Sequence, residues 1–137
     1  MQKRKKYVEI EEDNGSVLRY FHHENGDGLV ERSASVDPTA FVDKSAYVDG
    51  GAHIGAGVRV GSGAWVDHGA VVHEHAVIGT CAHIGPEAVV GRGAKIGPRT
   101  KVGARARIWD RVVLDGDLTI ADDAVVRRAG PGGRAAA

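Results

Sequence analysis

The sequence predicts an all-β fold, a chain wound into stacked parallel coils behind an N-terminal β-hairpin. Three observations carry that prediction. An aliphatic residue stands at every sixth position without a skip: Val36, Val42, Val48, Ile54, Val60, Val66, Val72, Ile78, Ile84, Val90, Ile96, Val102, Ile108, Leu114, Ile120 and Val126. The residue two places earlier is Ala except at Val58, Thr100, Val112 and Leu118. The residue after the aliphatic is mostly Gly or Asp, as in Ile54-Gly55 and Val42-Asp43. A period of six fits neither an α-helix at about 3.6 nor a free strand at about 2. It fits a short strand, a corner, and another short strand. Alternate residues of a strand share one face, so the aliphatic and the Ala before it both point inward, the Ala where the bore leaves little room. Gly and Asp after the aliphatic are the corner, Gly because it tolerates positive φ and Asp because it bonds its own backbone. Hexapeptide repetition is a sequence signature of the parallel β-helix.

The elements follow in chain order. Residues 1–6, Met1-Gln-Lys-Arg-Lys-Lys6, read as a solvated basic tail. Tyr7 to Phe21 reads as a β-hairpin whose strands flank Asp13-Asn14-Gly15-Ser16, since Asn-Gly is a strong hairpin-turn signal. An isolated hairpin is marginal in water and an open first coil is a bare strand edge, so the hairpin, with Leu29 and Val30, is expected to cover that end. His22 to Gly28 connects the two. The hexads occupy residues 34–128 without an insertion, after a cap region at 1–33. Residues 129–137 lose the period, and Gly130, Pro131, Gly132 and Gly133 suit a flexible tail.

The hexad run resembles the hexapeptide-repeat superfamily. That resemblance implies a left-handed parallel β-helix of triangular coils, three hexads to each, hence about five coils and a prism of roughly 25 Å at about 4.8 Å per coil. The layout of a hairpin, an Asn-Gly-x-Gly-x-Val step from Asn25 to Val30, and then hexads looks like uncharacterised hexapeptide-repeat proteins of bacteria and phages.

Composition narrows the function. The chain has 137 residues, one domain's worth, with formal net charge zero. That balance lacks the basic surface a general nucleic-acid binder needs. No apolar run is long enough to span a bilayer, and no apolar segment follows the basic start as in a signal peptide. The single cysteine, Cys81, falls at a corner and fits a reducing cytoplasm, the expected location. No partner in nucleic acid or membrane is therefore expected.

Sorting the outward residues by eighteen gives three faces: Ser35, His53, Val71, Val89, Arg107, Val125; then Phe41, Arg59, Val77, Lys95, Val113; then Tyr47, Trp65, His83, Lys101, Thr119. The first two carry outward valines. A narrow prism gains from burying them, so a homotrimer through Val71, Val77, Val89, Val113 and Val125 is the expected assembly, with sedimentation its test.

The segment Trp65 to Gly79 holds His68, His73, Glu74 and His75, the candidate site residues. Val66-Asp-His68-Gly-Ala-Val-Val72-His73 looks like the two-histidine segment of γ-class carbonic anhydrases, a resemblance that implies zinc shared by His68 and His73 of different subunits. The phase of the third histidine is held by Gly55 and Asp37 in the two preceding coils, and Asp115 stands where that family's arginine step expects Arg. Gly69 to Gly97, with its Val-Ile-Gly and His83-Ile-Gly-Pro86 steps, resembles the acyltransferases of this fold. The resemblance implies an acyl-CoA donor and a general-base histidine, two residues past an aliphatic, followed by an orienting acid. His68 holds that phase but Gly69 follows it; one hexad on, Glu74 holds it between His73 and His75. Corner positions also accept histidines as plain surface groups. The leading expectation from sequence is accordingly a non-catalytic structural or assembly homotrimer without a cofactor. An acyltransferase with an intersubunit site at His68, His73, Glu74 and His75 stands as the alternative, and a γ-carbonic-anhydrase-like metal site as the second.

Overall fold

A computed structural model describes residues 7–128. The basic start and the Gly-rich end expected as tails lie outside them. The hexads form sixteen two-residue strands, Ser35–Val36 to Val125–Val126, separated by corners. Each strand pairs in parallel, in register, with the strand eighteen residues on: Val72 lies between Ile54 and Val90, and Ile84 between Val66 and Val102. The result is a solenoid of about five turns with three parallel sheets, whose outward residues sort into the three faces deduced above. Inside, every aliphatic from Val42 to Ile120 is at most 4 % exposed, so the recurring side chains do fill one shaft. The alanines from Ala40 to Ala106 sit among them, fully enclosed, while Ala34 and Ala124 at the two ends are partly buried. Thr100 breaks the Ala rule without cost because its hydroxyl donates to the Asp115 carbonyl at 2.6 Å and accepts from the Leu118 N–H at 3.2 Å, which leaves no orphaned polar group in the core. No helix among the described residues is long and apolar enough to cross a membrane.

The repeat starts one hexad earlier than expected. A strand β3 (Leu29–Glu31) stacks in parallel on Tyr47–Val48, with Val30 opposite Val48. Val30 is six residues before Val36 and Gly28 holds the small position before it, so the pattern was present but its Ala was not. The hairpin, β1 (Tyr7–Glu11) and β2 (Val17–His22), is antiparallel with Val8 opposite Tyr20, and β2 pairs with β3. It therefore continues the third sheet in the direction in which its strands stack, and with β3 covers the edge that Tyr47–Val48 would otherwise leave open. The end of the second face is covered by the loop instead. There the Gly28 N–H donates to the Val42 carbonyl, the Val42 N–H donates to Asn25, and His23 Nε2 lies 2.8 Å from the Ala40 carbonyl.

The corner chemistry differs from the expectation. Positive φ occurs three residues past the aliphatic, at His75, Cys81, Glu87, Arg99, Arg105, Arg111, Asp117 and Asp123, and at Gly57 and Gly69. Glycine directly after the aliphatic serves a steric need: a Cβ on Gly79 would stand 2.7 Å from the Ile96 carbonyl oxygen of the next coil. Exposed Cys81 is one of these left-handed corner residues.

Side chains cap the corners. In the early coils Asp37 binds Thr39 and Asp43 binds Ser45, and those hydroxyls then accept the N–H of Gly57 and Gly63 one coil on. In the late coils Arg99 and Arg105 make bidentate pairs with Asp117 and Asp123. The carboxyls of all four aspartates are held below the usual range: Asp37 by the Thr39 hydroxyl, Asp43 by the Ser45 N–H, Asp117 by Arg99 and Asp123 by Arg105. A depressed folded value adds stability that is present above the unfolded carboxylate pKa of about 3.9 and is lost as pH falls through the lower folded values. Melting temperature should therefore be level near neutrality and fall below about pH 4. An Asp117→Asn, Asp123→Asn variant should show a shallower fall, and equal slopes for the two proteins would remove the pairs from the account.

Candidate functional site

One corner of the prism gathers chemistry. It follows the third face, on which Tyr47, Trp65 and His83 stand in successive coils. Their rings stack: Tyr47 on Trp65 with centroids 5.5 Å apart, and Trp65 on His83 at 4.1 Å and 14° between planes. A parallel ladder places identical phases about 4.8 Å apart, which is why rings at a spacing of eighteen overlap. Burial raises the Tyr47 phenol above its ordinary value.

Two aspartates at the residue just past the strand tie this ladder to the corner. Asp49 accepts from the Trp65 indole N–H at 2.7 Å through one oxygen and from the Tyr20 hydroxyl at 2.5 Å through the other. Burial, then the Asp49 carboxylate, push the Tyr20 phenol well above its ordinary value, so it stays a donor. One coil on, Asp67 is 7 % exposed, the one buried acid among the described residues. One oxygen of Asp67 lies 2.8 Å from His68 Nδ1 and accepts the His68 backbone N–H, while the other lies 3.0 Å from His83 Nε2. A single desolvated carboxylate thus accepts from two imidazoles. A carboxylate oxygen can only accept, so the His68 proton sits on Nδ1 and its Nε2 lone pair is free. The His68 side chain is 66 % exposed, so the ring is open to solvent.

Two depressions flank this trio along the corner. Towards the hairpin, an open cleft of about 320 Å³ is lined by Leu18, Tyr20, Glu31, Asp49 and His68, among others. Towards the C-terminal coils, a groove of about 450 Å³ runs from His83 past Gly85, Lys101 and Gly103 to Ala121. The phase after the aliphatic is Gly85, Gly103 and Ala121 in these three coils, and at Gly85 and Gly103 a Cβ would meet the backbone of the next coil at 2.6 and 2.5 Å. His68 thus borders the first of these and His83 the second, and Asp67 is bonded to both histidines.

The four site residues expected from sequence do not gather at one place within the chain. His68 is at this corner. His73, Glu74 and His75 are at the next, past Val71–Val72. There His73 borders a depression with Val89, Arg107 and Trp109, and Glu74 and His75 border another with Arg92 and Arg111. Within a chain, His68 and His73 are kept apart by the strand between their corners. No group of three or more His, Cys, Asp or Glu able to hold a metal occurs among the described residues. The residues missed from sequence were Asp67 and His83. Asp67 was hidden because the orienting acid was sought after the histidine, at Gly69. That position is a left-handed corner, with φ +70°. The residue before the histidine leaves the strand close enough to reach back. His83 could have been found from the eighteen-residue sorting, which already placed it beside Trp65.

Comparisons with known proteins bear on the fold and its family. The sequence model of the family described as "Bacterial transferase hexapeptide (six repeats)" matches residues 57–92, the coils that carry His68 and His83. No curated protein matches the chain by sequence. Among solved structures, the chain is similar to a histidine-to-alanine mutant of GDP-perosamine N-acetyl transferase from Caulobacter crescentus, in complex with CoA and GDP-perosamine. The identity is 29 % and the TM-score 0.70, over 71 % of this chain and 46 % of that one. It also matches PerB from Caulobacter crescentus in complex with CoA and GDP-perosamine (28 %, TM-score 0.43, 68 % of this chain and 48 % of that one). A third match is the acetyltransferase domain of PglB from Neisseria gonorrhoeae in complex with acetyl coenzyme A (22 %, TM-score 0.44, 77 % and 56 %). The chain spans about half the length of these structures. The hexapeptide-repeat solenoid read from the sequence is thereby supported by both fold and family comparison. The expectation of a non-catalytic structural module is corrected: the first of these likenesses, at 0.70, is to a sugar N-acetyltransferase, and it favours the acyltransferase alternative.

Proposed function

We propose that this protein is an acyltransferase that moves an acyl group from a thioester donor of the coenzyme A kind to an amine or hydroxyl acceptor, with His68 as general base. The observation that carries the reading is the Asp67 carboxylate, buried and bound to His68 Nδ1 at 2.8 Å, which leaves Nε2 as the free acceptor of an exposed ring that borders the cleft under the hairpin. A base in contact with the acceptor, oriented by a third group, is the arrangement acyl transfer needs. The likeness to an N-acetyltransferase in complex with CoA supports the same chemistry.

The atoms balance simply. The acceptor N–H or O–H gives its proton to His68 Nε2 as its lone pair forms a bond to the thioester carbonyl carbon. The tetrahedral species then collapses, the C–S bond breaks, and the thiolate leaves with the proton that His68 returns. Asp67 stays a carboxylate throughout and offsets the charge that appears on the imidazole between the two transfers. The groove from His83 to Ala121, with Lys101 on its wall, suits an extended donor ending near His83, and the cleft under the hairpin suits the acceptor.

The test is thiol release from acetyl-CoA in the presence of a panel of amino sugars and simple amines and alcohols. Wild type should release thiol with at least one acceptor, and His68→Ala should lower the rate by about 10²–10⁴-fold, the usual worth of a general base. No release above blank with any acceptor, together with no heat on titrating CoA into the protein, would rule the reading out.

A further inference from the structure

We infer that His83 is a positioning residue for His68, acting through Asp67 and held for that purpose by the aromatic ladder. The inference rests on the proposed function but concerns a residue that the general-base argument does not require.

The geometry is a chain of contacts with no slack. The Tyr20 hydroxyl holds one oxygen of Asp49 and the Trp65 indole holds the other. Trp65 is fixed by that bond and lies flat against His83 at 4.1 Å. The His83 ring plane is therefore set before Asp67 is reached. Its Nε2 then occupies the Asp67 oxygen that His68 does not use. A carboxylate with one free oxygen can turn about its Cβ–Cγ bond and offer either oxygen to a neighbour. Here both oxygens are engaged, one by His68 Nδ1 and the His68 backbone N–H and the other by His83, so the bond from His83 opposes rotation of the oxygen that faces His68. The His68 ring, two-thirds exposed, has its one side-chain hydrogen bond to that oxygen. His83 thus supplies through a carboxylate the rigidity that a surface imidazole lacks. Groups held by a second ring of hydrogen bonds commonly lose about 10–100-fold in function when the outer bond is removed.

Two substitutions separate the roles. His83→Phe keeps a ring against Trp65 and deletes the donor to Asp67. His83→Gln gives up the stacking but can place an amide N–H near the former Nε2. The structure predicts that H83F lowers kcat about tenfold, with KM for the acceptor within about twofold, and that H83Q recovers most of the loss. The decisive readout is a double-mutant cycle with Asp67→Asn, since a residue acting only through Asp67 has nothing to add once the carboxylate is gone. H83F in the D67N background should leave the residual rate unchanged.

A second readout needs no turnover. Nitrogen chemical shifts of the His68 ring report which nitrogen carries the proton. Wild type and H83Q should show protonated Nδ1, and H83F a mixture of the two tautomers. Unchanged His68 shifts in H83F, or the same tenfold loss in the D67N background as in wild type, would overturn the inference. If no acceptor is ever acylated, the proposed reaction fails while the shifts still decide whether His83 orders His68.

Discussion

Asp67→Asn should remove most of the proposed acyl transfer while leaving the fold in place. The side chains are isosteric, so the corner keeps its shape. The difference is polarity. Asp67 accepts from three donors: the His68 backbone N–H, His68 Nδ1 and His83 Nε2. Asn can offer one acceptor oxygen and must direct an NH₂ at one of the rings. A donor facing His68 Nδ1 forces the ring to carry its proton on Nε2, the nitrogen that should accept from the substrate. Where the carboxylate partner of a catalytic histidine has been neutralised in this way, the loss reaches about 10⁴-fold in kcat, because the tautomer is wrong. A site open to solvent lets the ring turn and recover, so the expected loss here is about 10²–10³-fold, with melting temperature within a few degrees of wild type. A rate within threefold of wild type would show that Asp67 only ties the corner together. A loss accompanied by unfolding would be uninformative on its own, so melting is measured on the same sample. Asp67→Glu sharpens the test, because it keeps the charge but moves the carboxylate by one methylene. It should recover part of the rate if charge matters and little if placement dominates.

The sequence made the shaft legible and the site only half so, for a physical reason. Positions that share an interior are under one constraint, volume, and that constraint repeats with every hexad. Thus the aliphatic series from Val42 to Ile120 could be stacked by arithmetic alone, and the three faces sorted correctly. Only Val30 escaped, because its hexad carries Gly28 in place of Ala. The hairpin was recognised from Asn14-Gly15, but its docking depended on Tyr20 reaching Asp49, a contact across 29 residues that no local pattern encodes. The site is a matter of direction as well as phase. His68 and His73 each sit at a corner beside an acid, Asp67 or Glu74, but in opposite order, the acid first in one pair and the histidine first in the other. The coordinates distinguish them: Asp67 is desolvated and bonded to two rings, whereas Glu74 lies exposed beside Arg92 and Arg111. Whether a carboxylate turns towards the prism or away depends on one residue of phase. The six-residue pattern fixes that phase only once the corner conformation is known, and the left-handed residue proved to be the third after the aliphatic rather than the first.

Truncating the shaft should show how local stability is in such a fold. Ile84 is fully buried, paired in register with Val66 on one side and Val102 on the other, and adjacent in sequence to His83. Ile84→Ala removes three carbons from a space bounded by backbone ladders, which cannot close in without breaking the coil spacing. Such truncations cost about 2–5 kcal/mol, whereas Ile84→Val should cost about 0.5–1.5 kcal/mol. In a compact globule that loss is shared by the whole molecule. In a solenoid each coil touches only its neighbours, so the cost falls on the coils of Val66, Ile84 and Val102 and opens them first. Hydrogen exchange should then lose protection at the Trp65 and His83 amides, which donate to the Ala82 and Thr100 carbonyls, while the amide of Tyr47, nearer the hairpin, changes less. Activity should fall further than the equilibrium population of folded protein, because the coils that loosen carry Asp67 and His83. Uniform loss of protection from Tyr47 to Arg107 would mean that the prism melts as one unit. In that case the N-terminal hairpin, joined to the third face through β3, would be the element that couples the coils.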